Sequence, residues 1–440
     1  MGSVMAPVDE ILVSIAPGES RFALLADGIP VEFRIDRGGA GAGDLVLGRI
    51  QNVNRPLNAA FVEIGEPRLG FLAAPGKRGE GDKAIFQVTA AARGGKGAVL
   101  SAAPSLQGDL LAYTPARGGL NLSKRIGDAA RREALRSLLA PLLTPGEGLV
   151  VRTDAAQASD DALLAELAAL RRRWRIIEDK AGAMTPPAHL EAPSTLARLL
   201  AEYPQVRRLR ADDQASLAEV KGLFPDALCD EGVFDREVGE SLDQALESRA
   251  PLPGGGALII ETTAALTAID IDSGGGAPLA ANLAAVPEIA RQLRLRGVAG
   301  HILVDIIPLK DRQALGRLVS TLRQAVECDP TPTHVVGVTP LGMIEMTRER
   351  RYPGLAEIML DDKGPQRSSE TIGLEGLRAA LSAALRRPQA KIAMKAAPAV
   401  AASLLRNQKA LDDVARRLGR GVPIRPASDV IAYEIVEDAK

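Results

Sequence analysis

Two apolar runs between Ala265 and Ile307 each end on carboxylates. In the first, Ala265-Leu-Thr-Ala-Ile-Asp270-Ile-Asp272-Ser-Gly, small residues follow the acids as a turn would. The second is His301-Ile-Leu-Val-Asp305-Ile-Ile. Carboxylates that converge repel one another unless a cation sits between them, and an all-oxygen site suits Mg²⁺ or Mn²⁺. Such an ion supports phosphate chemistry. Two other readings stand beside this one. Asp often ends a strand simply because it suits turns, and a strand ending Asp-x-Asp also opens phosphotransferases whose first Asp is a nucleophile.

The elements that must position these acids are legible around them. Leu283, Val286, Ile289, Ala290 and Leu293 recur at helical spacing, with Gly297 and Gly300 as stop signals. Strand, helix, strand makes a βαβ unit, so the two strands run parallel with Asp270, Asp272 and Asp305 near their carboxyl ends. Open α/β sheets place their ligands at that edge. Further helices are expected over Asp128–Leu143, Asp160–Lys180, most of Thr195–Leu246, and Asp311–Cys328. The helix from Asp160 carries Leu163, Leu164, Leu167, Leu170 and Trp174 beside a basic run, Arg171 to Arg175, that reads as a solvated face with Trp174 packed inward. Short strands separated by turns at Pro17-Gly18 and Asp27-Gly28 fill Asp9 to Arg37, and dense short strands from Leu45 to Leu100 fit a small barrel. Gly148-Leu-Val-Val-Arg152-Thr153 is a buried-type strand ending on polar residues. Pro186 to Pro193 reads as a linker. The tail from Gly364 is a small α/β piece with helices around Leu374–Leu385 and Val400–Leu418.

Bulk properties narrow the classes. With 440 residues and 46% hydrophobic content the chain can bury several cores. It has no apolar run of the ~20 residues that a membrane helix needs, and no basic-then-apolar leader, so a cytoplasmic location follows by default. Cys229 and Cys328 lie far apart, and there are three histidines, which excludes a disulfide framework and a thiolate or His-rich metal site within one chain. A net charge of -1 leaves nucleic-acid binding to local patches.

Several ordered segments resemble the ribonuclease E/G family of endoribonucleases. They are Leu47-Gly-Arg-Ile, Ala59-Ala-Phe61-Val-Glu-Ile-Gly, Gly70-Phe71-Leu, Lys96-Gly-Ala, Leu122-Ser-Lys-Arg-Ile, Gly148-Leu-Val-Val-Arg152-Thr153, the Asp270 run, Glu288-Ile-Ala-Arg-Gln-Leu-Arg-Leu-Arg and Leu341-Gly-Met-Ile-Glu-Met-Thr-Arg-Glu-Arg. The tail's Ala432-Tyr-Glu-Ile-Val looks like the end of the family's small domain. The resemblance implies an α/β (α+β multidomain) architecture. A ribonuclease H-like subdomain (residues 1–40 and 184–247) would be interrupted by an S1 barrel of OB type (41–102) and a 5′-sensor (103–183). A DNase I-like catalytic α/β subdomain (248–362) and a small C-terminal α/β domain (363–440) would follow.

Carried over residue by residue, Asp270 and Asp305 match the family's metal-binding, catalytic aspartates. Asp272 stands where many members have Asn and is kept as a third ligand. Pro308 stands where the family has a further acid. Arg152 and Thr153 match the 5′-monophosphate pocket, where a guanidinium grips phosphate through parallel bonds. Phe61 and Phe71 are candidates for base stacking and Lys96 for a phosphate or base contact, the alternative being that both rings fill the barrel core. The implied activity is Mg²⁺-dependent hydrolysis of single-stranded RNA, with Mn²⁺ as a substitute, leaving 5′-phosphate and 3′-hydroxyl ends. The runner-up is a non-catalytic RNA-binding or regulatory relative, and a small-molecule phosphotransferase ranks last. Where relatives carry a CPxCxGxG zinc link between protomers, this chain has Asp361-Asp-Lys-Gly-Pro-Gln-Arg-Ser-Ser, so no zinc is expected and any oligomer must form without a shared zinc.

Overall fold

A computed structural model describes residues 6–93, 95–253, 255–272, 274–275, 277–361 and 364–437. Asp362 and Lys363, in the segment that replaces the zinc link, lie outside the described residues. The fold is mixed α/β and multidomain, in two compact units: Met1–Gly38 with Ser194–Lys440, and Gly39–Pro193. Among the described residues no helix is long and apolar enough to cross a membrane.

In the unit Gly39–Pro193, the strands Leu45–Asn54, Ala59–Glu63, Gly70–Ala73, Val99–Ser101 and Lys83–Ala90 form a barrel, closed because the first also pairs with the last. Alternation sends Val46, Ile50, Val62, Leu72, Phe86 and Val88 into its core. Gly48 permits the closure: a Cβ there would lie 2.7 Å from a Val62 methyl and 3.0 Å from the Phe86 ring. Beyond the barrel, a four-stranded sheet includes Leu111–Thr114, Gly119–Leu122 and Gly148–Val151. The helices Ala129–Leu139 and Asp160–Ala183 pack on it through Leu135, Leu139, Leu163, Leu167, Leu170 and Ile177. The first helix ends earlier than its sequence pattern because Pro141 turns the chain into a short 3-10 segment. The basic run Arg171 to Arg175 is only partly a solvated face. Arg171 is bound to Glu147 and the Leu142 carbonyl, and Arg173 to Glu191, while Trp174 packs against the core.

In the other unit, Glu10–Ala16, Glu19–Ala26 and Ile29–Asp36 form consecutive hairpins through turns whose residues have positive φ at Gly18, Asp27 and Gly28. Two further strands of this sheet, Arg208–Ala211 and Leu228–Cys229, come from the region expected to be mostly helical, with Arg208–Ala211 parallel to Glu10–Ala16. Each is too short to show a period of its own. Helices Thr195–Glu202, Gln214–Val220 and Val233–Gln244 surround them.

The sheet that carries the acids has six strands in the order Arg249–Pro251, Ala257–Thr262, Thr267–Asp272, Gly300–Asp305, Ile344–Arg348, Thr333–Val338. Only Thr267–Asp272 and Gly300–Asp305 run parallel, joined by the crossover helix Pro278–Leu295. That helix and Arg312–Val326, capped by the Asp311 carboxylate, both pack on one face. They bury Ile269, Ile271, Ile302, Val304, Ile344 and Met346, each worth about 1.5–3 kcal/mol. The alternate residues therefore point to the opposite face. The acids thus sit on an open sheet face near the strand ends, not in a crevice beyond a fully parallel edge, because both helices lie on the same side.

The tail packs helices Ser369–Arg386, Pro398–Arg406 and Gln408–Leu418 on a three-stranded sheet centred on Ile392–Ala396. The helix expected over Val400–Leu418 is broken at Asn407, whose side chain caps the second half by accepting from the Ala410 N–H.

Candidate functional site

In Thr267–Asp272 the buried positions Thr267, Ile269 and Ile271 alternate with exposed Ala268, Asp270 and Asp272. Asp305, the last residue of its strand, is also exposed. Parallel register sets Asp270 directly opposite Asp305, with backbones about 5 Å apart. Two carboxylates so placed repel by about 1 kcal/mol in water and by more once solvent is displaced. A divalent cation relieves that repulsion, and two exposed oxygen donor groups suit Mg²⁺, which keeps several waters and takes its other ligands from substrate phosphates.

Asp272 is placed differently. It lies on the same face, one pleat further on, with its carboxylate 3.2 Å from Arg249 Nη2 and accepting from the Gly274 N–H. Its charge already has a partner, and among the described residues no group of three or more His, Cys, Asp or Glu is gathered as a metal cage. The structure therefore brings Asp270 and Asp305 together and leaves Asp272 beside them on Arg249. Pro308 lies exposed in irregular backbone just past Asp305 and supplies no carboxylate.

A second cluster forms where the parallel strands Gly119–Leu122 and Gly148–Val151 end side by side. Arg152 and Thr153 follow one strand and Ser123 follows the other. The Thr153 and Ser123 hydroxyls are 3.0 Å apart, and Arg152 donates to Gln107 Oε1 at 2.9 Å, leaving further guanidinium N–H groups to give. Lys124 and Arg125 are exposed next to them. Paired hydroxyls and a guanidinium among cations suit a phosphate group. Sequence reading missed Ser123 and Gln107 as members, although Ser123 lay within a motif already singled out. It also missed Arg249.

On the barrel, Phe61 and Phe71 stand opposite each other on adjacent strands, with ring centroids 6.1 Å apart at 69°. Both are half-buried, whereas Phe86, Val62 and Leu72 are fully buried. The two rings therefore line the barrel's outer surface and do not fill its core. Lys96 is exposed on the loop that leads into Val99–Ser101, the strand beside Phe71.

A model of the ribonuclease E/G family matches residues 105–351. Ribonuclease E of Nostoc sp. is 32% identical over 72% of this chain and 52% of that protein. Ribonuclease E of Synechocystis sp. is 30% identical over 74% and 55%. Ribonuclease G of Haemophilus influenzae is 28% identical over 94% and 96%. The chain spans about half the length of the two ribonuclease E relatives and nearly all of the ribonuclease G. The paired aspartates and the basic hydroxyl-lined cluster lie within the matched residues, the aromatic barrel surface precedes them, and the chain belongs to the ribonuclease E/G family.

Proposed function

We propose that this protein is a Mg²⁺-dependent endoribonuclease that hydrolyses phosphodiester bonds in single-stranded RNA. The observation that carries the reading is the in-register pair Asp270 and Asp305 on an open sheet face of a ribonuclease E/G chain. Asp270 and Asp305 would hold the ion. When bound, it supplies charge neutralisation at the scissile phosphate and a more acidic water for attack. The carboxylates themselves fix where that phosphate sits, and the exposed face admits a flexible strand. Hydrolysis by water leaves a 5′-phosphate on the downstream fragment and a 3′-hydroxyl on the upstream one. Mn²⁺ substitutes for Mg²⁺ at oxygen ligands.

The same reading assigns the closed barrel as the S1 domain, with Phe61 and Phe71 stacking bases and Lys96 meeting phosphate or base. Arg152, Thr153 and Ser123 form the pocket for a 5′-monophosphate. The sheet of Glu10–Asp36 with Arg208–Cys229 is read as the ribonuclease H-like subdomain, the acid-bearing sheet as the DNase I-like one, and residues 363–440 as the small domain.

Cleavage of a 5′-monophosphorylated, A/U-rich oligonucleotide with Mg²⁺ tests the activity. Wild type should cut it, and Asp305→Ala should lose on the order of 10³-fold in rate while binding RNA as before. An intact oligonucleotide after exposure to wild type and Mg²⁺ sinks the proposal. A second comparison tests the pocket: wild type should cut the 5′-monophosphate RNA faster than its 5′-hydroxyl counterpart, and Arg152→Ala should erase the difference. Equal wild-type rates on both RNAs would remove the sensor assignment.

The engagement of Asp272 by Arg249 and the proline at position 308 favour one second reading, a non-catalytic RNA-binding relative. It predicts RNA binding with no turnover at any Mg²⁺ concentration.

A further inference from the structure

Asn282 is fully buried in the second turn of the crossover helix Pro278–Leu295. Asn is a poor residue for a helix interior, and a buried carboxamide is costly unless its oxygen and nitrogen are both bonded. Both are bonded here, to one residue. Asn282 Nδ2 donates to the Ile307 carbonyl at 2.8 Å, and the Ile307 N–H donates to Asn282 Oδ1 at 3.0 Å. Ile307 lies two residues beyond Asp305, where the strand has ended and the backbone is irregular. The carboxamide thus stands in for a neighbouring strand, extending the ladder past the point where Asp305 pairs with Asp270.

Asp305 is held on one side by its register with Asp270, and its downstream backbone by this clamp. The helix that supplies the clamp is the one that leads out of the Asp272 turn. A single side chain therefore ties the exit of one acidic strand to the connection leaving the other. We propose that Asn282 is a positioning residue that fixes the Asp270–Asp305 spacing for the divalent cation; this rests on the endoribonuclease reading above. Groups that orient metal ligands from behind are worth roughly 10–100-fold in metal affinity or activity.

The test uses the full chain carrying Asn282→Leu, which keeps similar bulk and does not weaken the helix, or Asn282→Asp. Asn282→Asp keeps an acceptor for the Ile307 N–H but sets a carboxylate against the Ile307 carbonyl. Mn²⁺ binding to the RNA-free protein is followed by electron paramagnetic resonance, with Asp270→Asn as the control that loses it. Both Asn282 variants should bind Mn²⁺ about tenfold more weakly and cut about 10–100-fold more slowly at low Mg²⁺. Raising Mg²⁺ should restore part of the rate, and metal-free RNA affinity should match wild type. Folded variants with wild-type Mn²⁺ affinity overturn the assignment. So does loss of cooperative melting in both, since the clamp would then serve the fold and not the metal pair. A wild type that binds Mn²⁺ and cuts RNA beside unaffected Asn282 variants removes this inference alone. A wild type that does neither removes the endoribonuclease reading itself.

Discussion

Asp270, Asp305 and Asp272 share a residue type and a sheet face, and they differ in their neighbours. The first two face each other across a parallel ladder, while Asp272 faces Arg249. Residue type and spacing were enough to single out all three, but the Arg249 contact comes from an antiparallel strand whose pairing no motif announces. The phenylalanines show the same limit. Their positions were legible, yet whether they fill the core or line the surface depended on the phase of the pleat within the closed barrel. That placement makes a prediction. Phe61→Ala should weaken binding of a short single-stranded RNA by about 1–3 kcal/mol and leave the barrel's melting nearly unchanged. Phe86→Ala should do the reverse, costing about 3–5 kcal/mol of stability. Titration of both variants by fluorescence anisotropy, beside thermal melts, separates the two roles; equal destabilisation by both would refute it.

At the scale of elements, long helices with a strong period were the most legible. Asp160–Ala183 is capped by Ser159, carries Asp160 and Asp161 in its first turn, and buries Leu163, Leu167 and Leu170, while Leu164 from the same pattern is exposed. Short strands such as Arg208–Ala211 were not, because their partners lie far away in sequence. The arginines of the long helix also looked solvated until their partners were placed. Glu147 accepts from Arg171 and from the Tyr113 hydroxyl, which joins the helix to the strands Leu111–Thr114 and Gly148–Val151. Burial alone would raise the Glu147 pKa, but these hydrogen bonds outweigh it and hold the carboxyl at about 2. Because the folded value lies below the unfolded one, the contribution is fully present above the usual carboxylate range. It is lost as pH falls from about 4.5 toward about 2. Glu147→Gln should therefore cost about 1–3 kcal/mol at pH 7 and flatten the acid limb of the stability curve. Denaturant melts of both proteins between pH 7 and pH 2.5 check this, and parallel curves would contradict it.

Across the whole molecule, one unit is assembled from segments that the chain order separates, while Gly39–Pro193 is continuous. The N-terminal hairpins find their sheet neighbour only at Arg208–Ala211, and the crossover helix reaches the same region through a buried ionic network. Glu32, on the third strand, accepts from the Tyr203 hydroxyl at 2.5 Å, and that oxygen accepts from Arg294 at 3.2 Å. Arg34 pairs with Glu32 at 2.6 Å and lies over the Tyr352 ring. Burial and the neighbouring Glu32 push the Tyr203 hydroxyl far up, so it stays a donor. Tyr203→Phe removes that donor from a buried carboxylate and should cost about 1.5–3 kcal/mol of stability. Guanidinium melts would read this as a lower midpoint with an unchanged slope; an unchanged midpoint would show the network to be dispensable.

By itself, the amino-acid sequence determined the family, the identity of the acidic strands and their parallel crossover, and the hairpin turns, because these rest on local patterns: period, capping and conformationally special turn residues. Only the tertiary structure decided which acids pair, that the rings lie on the barrel surface, and that Asn282 grips the backbone beyond Asp305. Those outcomes depend on strand register and on contacts between distant segments. A shift of one residue in strand register would turn the aspartates and the phenylalanines to the other face of their sheets.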